Sequence, residues 1–227
     1  MGEKAFIKTI QKAKPERMEY YPNISDNKKK RKFIEQTKRL IRSSMEYRDY
    51  IQFLRENIDM DSCAFFQFVT SNSSLNPDNK KIKIEIHHEP FTLDDLVATV
   101  LEKYIEEGLP IDSLDIAEEV MELHYKNQVG LIPLSKTIHE VVHNSGKIPI
   151  PLYMCYGAYV QFVRDYEPYL SKLGLMDKLE RKIKATKEIT AESFDAIRRE
   201  FEYLEVEGRS DDLEKLPEEE ETFVLAS

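Results

Sequence analysis

"KIKIEIHH", residues 81–88, is the stretch on which the fold turns. Ile82, Ile84 and Ile86 alternate with polar residues, and a period of two places them on one face of a strand. The strand ends in His87 and His88. Neighbouring strand residues point to opposite faces, so these two imidazoles serve different surroundings. Upstream, "CAFFQFV" (63–69) is aromatic and β-favouring and reads as a second strand. "TSNSSLNPDN" (70–79) lies between them and is built from turn formers. The expected unit is an antiparallel hairpin with a long turn. Downstream, "VGLIPL" (129–134) is short, apolar and extended. Ser135 can then cap a helix, "KTIHEVVHN", that Asn144 to Gly146 can end.

Most of the remaining chain reads as helix. Phe33, Ile34, Leu40, Ile41, Met45, Tyr50, Ile51 and Leu54 recur near a 3.6-residue period and predict one helix over 28–57. Thr92 with Asp95 is an N-cap signature for a helix over 93–107, ended by Gly108 and Pro110. Asp112 opens another helix, to about 126. After the extended "KIPIPL" (147–152), helical segments are expected at 156–171, 175–187 and 191–205. The fold class expected is α+β: mostly helical, with a β-hairpin-plus-helix core and flanking N- and C-terminal helices. The divisions are a basic helical arm (1–59), a core (60–152) with a helical insertion (92–127), a C-terminal helical region (153–206) and an acidic tail (207–227).

Charge is unevenly placed along a chain of net charge −9. Residues 1–50 hold 14 basic and 7 acidic residues, and "NKKKRK" (27–32) is the densest run. Residues 200–227 hold 11 acidic and 2 basic residues. Lys28, Lys29, Lys30, Arg31 and Lys32 are thus candidate contacts to nucleic-acid phosphates. The acidic tail is a candidate protein-docking segment. Cys63 and Cys155 form no CxxC pair, which argues against a four-cysteine zinc knuckle. No apolar run is long enough to cross a membrane, and the first residues are too polar for a signal peptide, so a cytoplasmic location is expected.

All five histidines (87, 88, 124, 139 and 143) fall within 57 residues. Imidazole is a common ligand of zinc and similar metals. On a helix, positions i and i+4 share a face, so His139 and His143 can grip one ion. His124, alone in a helical pattern, reads as a structural residue. "HEVVH" also satisfies HExxH, in which both histidines bind zinc and Glu140 would activate water. A zinc metalloprotease needs a third ligand, and Glu167 is the downstream candidate.

"IEIHHEPF" followed by "GLIPLSKTIHEVVHNSG" resembles the HNH nuclease motif: two histidines ending a strand, a connecting loop, an apolar strand and a helix bearing His-x-x-x-His. The resemblance implies a ββα-metal fold, abundant among bacteriophages, that holds one divalent ion (Mg, Mn, Ni or Zn) against a phosphodiester of DNA, with RNA left open. Carried over, His87, His139 and His143 would be metal ligands and His88 the general base. The family's middle asparagine position is Gly130 here. Asn127, three residues earlier, is the candidate for its role. The alternative is a non-catalytic HNH-fold phage protein that binds DNA or protein.

Overall fold

A computed structural model describes residues 26–66, 69–71, 82–145 and 149–187, without the side chains of 143–145. The proposed tail (207–227), the helix at 191–205 and the first 25 residues lie outside the described residues. Among the described residues, seven α-helices and one two-stranded antiparallel sheet make the fold α+β and mostly helical, as expected.

The helices are α1 (Asn27–Ser43), α2 (Met45–Asn57), α3 (Leu93–Glu106), α4 (Ser113–Tyr125), α5 (Lys136–Ser145), α6 (Tyr159–Lys172) and α7 (Leu175–Lys187). The helix expected over 28–57 is two helices, because Ser44 interrupts the ladder. Its backbone is extended, its amide donates to the Ile41 carbonyl and its hydroxyl accepts from Tyr47 N. A serine that can bond the backbone locally favours a cap over a helix interior. At α3 the capping box is complete: Asp95 N donates to Thr92 Oγ1, and Thr92 N donates to Asp95 Oδ2.

The sheet pairs β1 (Ile84–His88) with β2 (Leu131–Ser135), with Ile84 opposite Ser135, Ile86 opposite Pro133 and His88 opposite Leu131. Among the described residues, the hairpin expected between 63–69 and 81–88 is absent, and β1 pairs with β2. The described residues of that stretch, 63–66 and 69, make turn-type hydrogen bonds instead: Phe66 N donates to Cys63 O, and Val69 N to Phe66 O. They cover the outer edge of β2, where Ala64 N donates to Pro133 O. Proline has no N–H to return, so this edge cannot hold a full ladder. Tyr156 covers the same edge further along through two backbone hydrogen bonds with Leu131.

The larger core is helical, with Phe33, Ile41, Leu54, Leu96, Val97, Val100, Ile116, Val120, Met121 and Phe162 buried together. Helices α3 and α4, which fill the long connection between the strands, supply much of it. A smaller cluster of Cys63, Phe65, Phe66, Ile84, Ile132, Leu134 and Ile138 joins the sheet to α5. Strand, strand and helix are therefore contiguous in space although more than forty residues separate the two strands.

Ion pairs tie outer helices to this frame. Lys178 of α7 meets Asp95 at 2.8 Å, and Lys182 meets the buried Glu89 at 2.5 Å. Lys30 of α1 and Lys172 of α6 both meet the buried Glu102, at 3.0 and 2.7 Å.

Candidate histidine site

The alternation of β1 sends His87 and His88 to opposite faces, as strand geometry requires. On one face, Glu85 and His87 meet helix α5. His139 Nε2 lies 3.1 Å from His87 Nδ1, and His139 Nδ1 lies 2.8 Å from Glu85 Oε2. The other ring nitrogen of His87 faces Glu89 Oε2 at 3.5 Å. Each imidazole thus has a carboxylate on its outer nitrogen, the arrangement that orients metal-ligating histidines elsewhere.

Both carboxylates are held ionised. Burial works against ionisation of Glu89, but hydrogen bonding from His87 and the charge of Lys182 outweigh it and lower its pKa. Glu85 behaves likewise: burial is outweighed by Lys83 and by His139. An ionised carboxylate only accepts, so both outer nitrogens donate. The two inner nitrogens then face each other 3.1 Å apart, and a hydrogen bond between them requires an additional shared proton. A metal ion between them would serve equally.

The described residues supply two imidazoles for such an ion. The carboxylates sit behind the rings, and among the described residues no group of three or more His, Cys, Asp or Glu side chains is placed to hold a metal. His143 follows one turn after His139 on α5, but its side chain lies outside the described residues.

His88 faces the other way. It is 6% exposed, and its Nε2 lies 3.0 Å from Nε2 of His124, which is 1% exposed on α4. His124 Nδ1 is 2.7 Å from the Val120 carbonyl, which can only accept, so that nitrogen carries the hydrogen. In the neutral ring, His124 Nε2 is then the acceptor, and His88 Nε2–H donates to it. Tyr47 and Tyr50 stack edge-on against His124. Burial first, then the nearby charges of His124, His87 and Arg42, hold the His88 pKa well below its ordinary value. Burial also pushes His124 down to about 4. The sequence pattern treated His124 as structural and missed its partner. The available signal was its i,i+4 spacing from Val120 on the apolar face of α4.

A groove of about 420 Å³ opens beside both histidine pairs, lined among others by Arg42, Tyr47, Glu85, His87, His88 and His139. Asn127 is not in its lining. It is the left-handed residue (φ 58°) that closes α4: its amide donates to His124 O and the next amide, Gln128 N, to Leu123 O. Gly130 packs against the chain at Glu89, where Glu89 N donates to Gly130 O at 3.0 Å. A Cβ at residue 130 would lie 1.8 Å from Glu89 O. An asparagine side chain at the HNH position has no room.

The two glutamates of the protease pattern lie apart from the groove. Glu140 pairs with Lys136 one turn earlier on α5, and the exposed Glu167 accepts from Ser171 on α6; neither lines the groove. In the basic run, Lys28, Lys29, Arg31 and Lys32 are exposed. Lys30 turns toward Glu102 and forms an ion pair with it at 3.0 Å.

The site is therefore a ββα unit carrying a paired-histidine cluster within a helical protein. Over residues 2–219 the chain matches the sequence model of the Bacteriophage G278-like virion protein family, and it belongs to that family. Comparison with curated proteins and with solved structures gives no match. No helix among the described residues is long and apolar enough to cross a membrane.

Proposed function

We propose that this chain is a structural component of the phage particle, assembled in the host cell, whose ββα unit is a scaffold and not a nuclease centre. The observation that carries this reading is the buried His88–His124 hydrogen bond. A general base works best with a pKa near the working pH and with reach to the attacking water. His88 spends Nε2–H on His124, and burial leaves its remaining lone pair weakly basic. The family description of virion proteins supports the same reading.

A second reading, metal-dependent phosphodiester hydrolysis of the HNH kind, is favoured by one observation: His87 and His139 converge with a carboxylate behind each ring. In that reading His87 and His139, with His143, hold one divalent ion. The ion would polarise a DNA phosphate.

Two measurements test the proposal. The protein is expected among the constituents of purified phage particles by mass spectrometry. Supercoiled plasmid incubated with the protein and Mg²⁺, Mn²⁺, Ni²⁺ or Zn²⁺ is expected to stay intact. Nicking that disappears in both His139→Ala and His88→Ala would establish the nuclease instead, and absence from particles would remove the structural role.

A further inference from the structure

Helix α1 has two chemically opposed faces. Phe33, Thr37 and Ile41 are buried on one side, and Lys30 points the same way to Glu102. At 100° per residue, Lys28, Arg31, Lys32, Glu35, Arg39 and Arg42 fall on the opposite side. Five of these six are cations, and all five are exposed. Glu35 bonds Lys38, and among the described residues none of the five cations has a carboxylate partner. The row runs about 21 Å from residue 28 to residue 42 at 1.5 Å per residue. Its last member, Arg42, lines the groove beside His87 and His139.

This arrangement works against the helix that carries it. Apart from the Asp26 cap, the first turn holds no acidic residue, and three consecutive lysines lie at the positive end of the helix dipole. Like charges at i,i+4, as at 28 and 32, repel. The whole chain is acidic, so an unbalanced cationic ridge is not its average composition. Local rules broken without internal compensation mark surfaces kept for a partner.

We propose that the outer face of α1 is a binding ridge for the phosphate backbone of double-stranded DNA, with Lys28, Arg31, Lys32, Arg39 and Arg42 as its contacts. It deepens the structural reading above by naming the partner, and it stands independently of any cleavage. Duplex DNA presents about one negative charge per 1.7 Å of axis, so a row of this length spans several phosphates. Such contacts follow the backbone and carry no base specificity.

The test measures binding of the full chain to a short DNA duplex by fluorescence anisotropy over a salt series. Each neutralised phosphate steepens the log–log salt dependence by about 0.9. The triple variant K32Q/R39Q/R42Q is expected to bind at least about tenfold more weakly at low salt and to flatten that slope by roughly 2 to 3. A charge-matched control on α7, R181Q/K184Q/K187Q, is expected to change neither by a comparable amount. Thermal melting of the ridge variant is expected to be unchanged or raised, because the substituted side chains are exposed and repel one another.

Absence of DNA binding by the native chain, or equal losses in ridge and control variants, would overturn the proposal. Equal affinity for polyglutamate would also overturn it, pointing to an acidic protein surface. DNA binding lost in the ridge variant while the protein still enters particles would separate this inference from the structural role itself.

Discussion

Gly130→Ala is expected to destabilise the protein by at least about 3 kcal/mol, or to prevent soluble folding. The Cβ would sit 1.8 Å from Glu89 O, 3.0 Å from the Glu89 carbonyl carbon and 3.2 Å from Pro90 Cδ. The first two are backbone atoms, so no side chain can swing away. Relief requires the two segments to separate, which breaks the Glu89 N to Gly130 O hydrogen bond. The same movement displaces Glu89, a 2% exposed carboxylate whose partners are Lys182 and His87. Removing a partner from a buried charge is among the costlier changes a fold can suffer.

Gly174→Ala is the matched comparison. Gly174 has φ +68°, yet nothing lies within 4 Å of its Cβ position, so the cost there is conformational and about 1 kcal/mol. Urea denaturation of both variants checks the ordering. A folded Gly130→Ala protein within about 1 kcal/mol of the native chain, the scale of an ordinary substitution, would show that the two segments separate at little cost.

The steric limit at residue 130 bears on how much the sequence revealed. Element identity was legible wherever the signal is local. Thr92 with Asp95, Asp112 and Ser135 marked three helix starts, and the alternation of 81–88 marked β1. Its pairing partner was not legible. Residues 63–69 have strand composition and lie nearer in sequence, whereas 131–135 lie beyond two helices, and only packing decides between them. Pro133, facing outward on β2, was the overlooked clue that this strand has one usable edge.

The break at Ser44 escaped because both α1 and α2 bury the same kind of apolar row, which makes the pattern continuous across the cap. At the site, the sequence placed His87 and His139 correctly as neighbours and correctly sent His88 to the other face. Its opposing environment, His124 and the two tyrosines, is assembled by tertiary contacts from α2 and α4.

That environment makes the protein acid-sensitive in a window that carboxylates do not share. His124 titrates near 4 in the folded chain and near 6.5 when unfolded, so the unfolded state binds more protons between these values. The stability from keeping it neutral is fully present above pH 6.5 and is lost as pH falls toward 4. Its loss at pH 5 amounts to about 2 kcal/mol, and His88, depressed in the same direction, adds to it. Glu85, Glu89 and Glu102 have lowered values, so their contributions start to fall only as the pH drops through the ordinary carboxylate value and are gone below their lowered ones.

Urea midpoints at pH 7 and pH 5, compared between the native chain and His124→Gln, therefore isolate the buried His88–His124 pair. The native chain is expected to lose about 2 kcal/mol or more over that step. His124→Gln offers an amide oxygen to the His88 N–H and no titrating ring, and it is expected to be less stable at pH 7 while losing markedly less between pH 7 and pH 5. A native stability that stays flat over this interval would mean that His88 and His124 accept protons in place. The buried pair would then be an accessible acid–base group, and the argument against a catalytic His88 would fall with it.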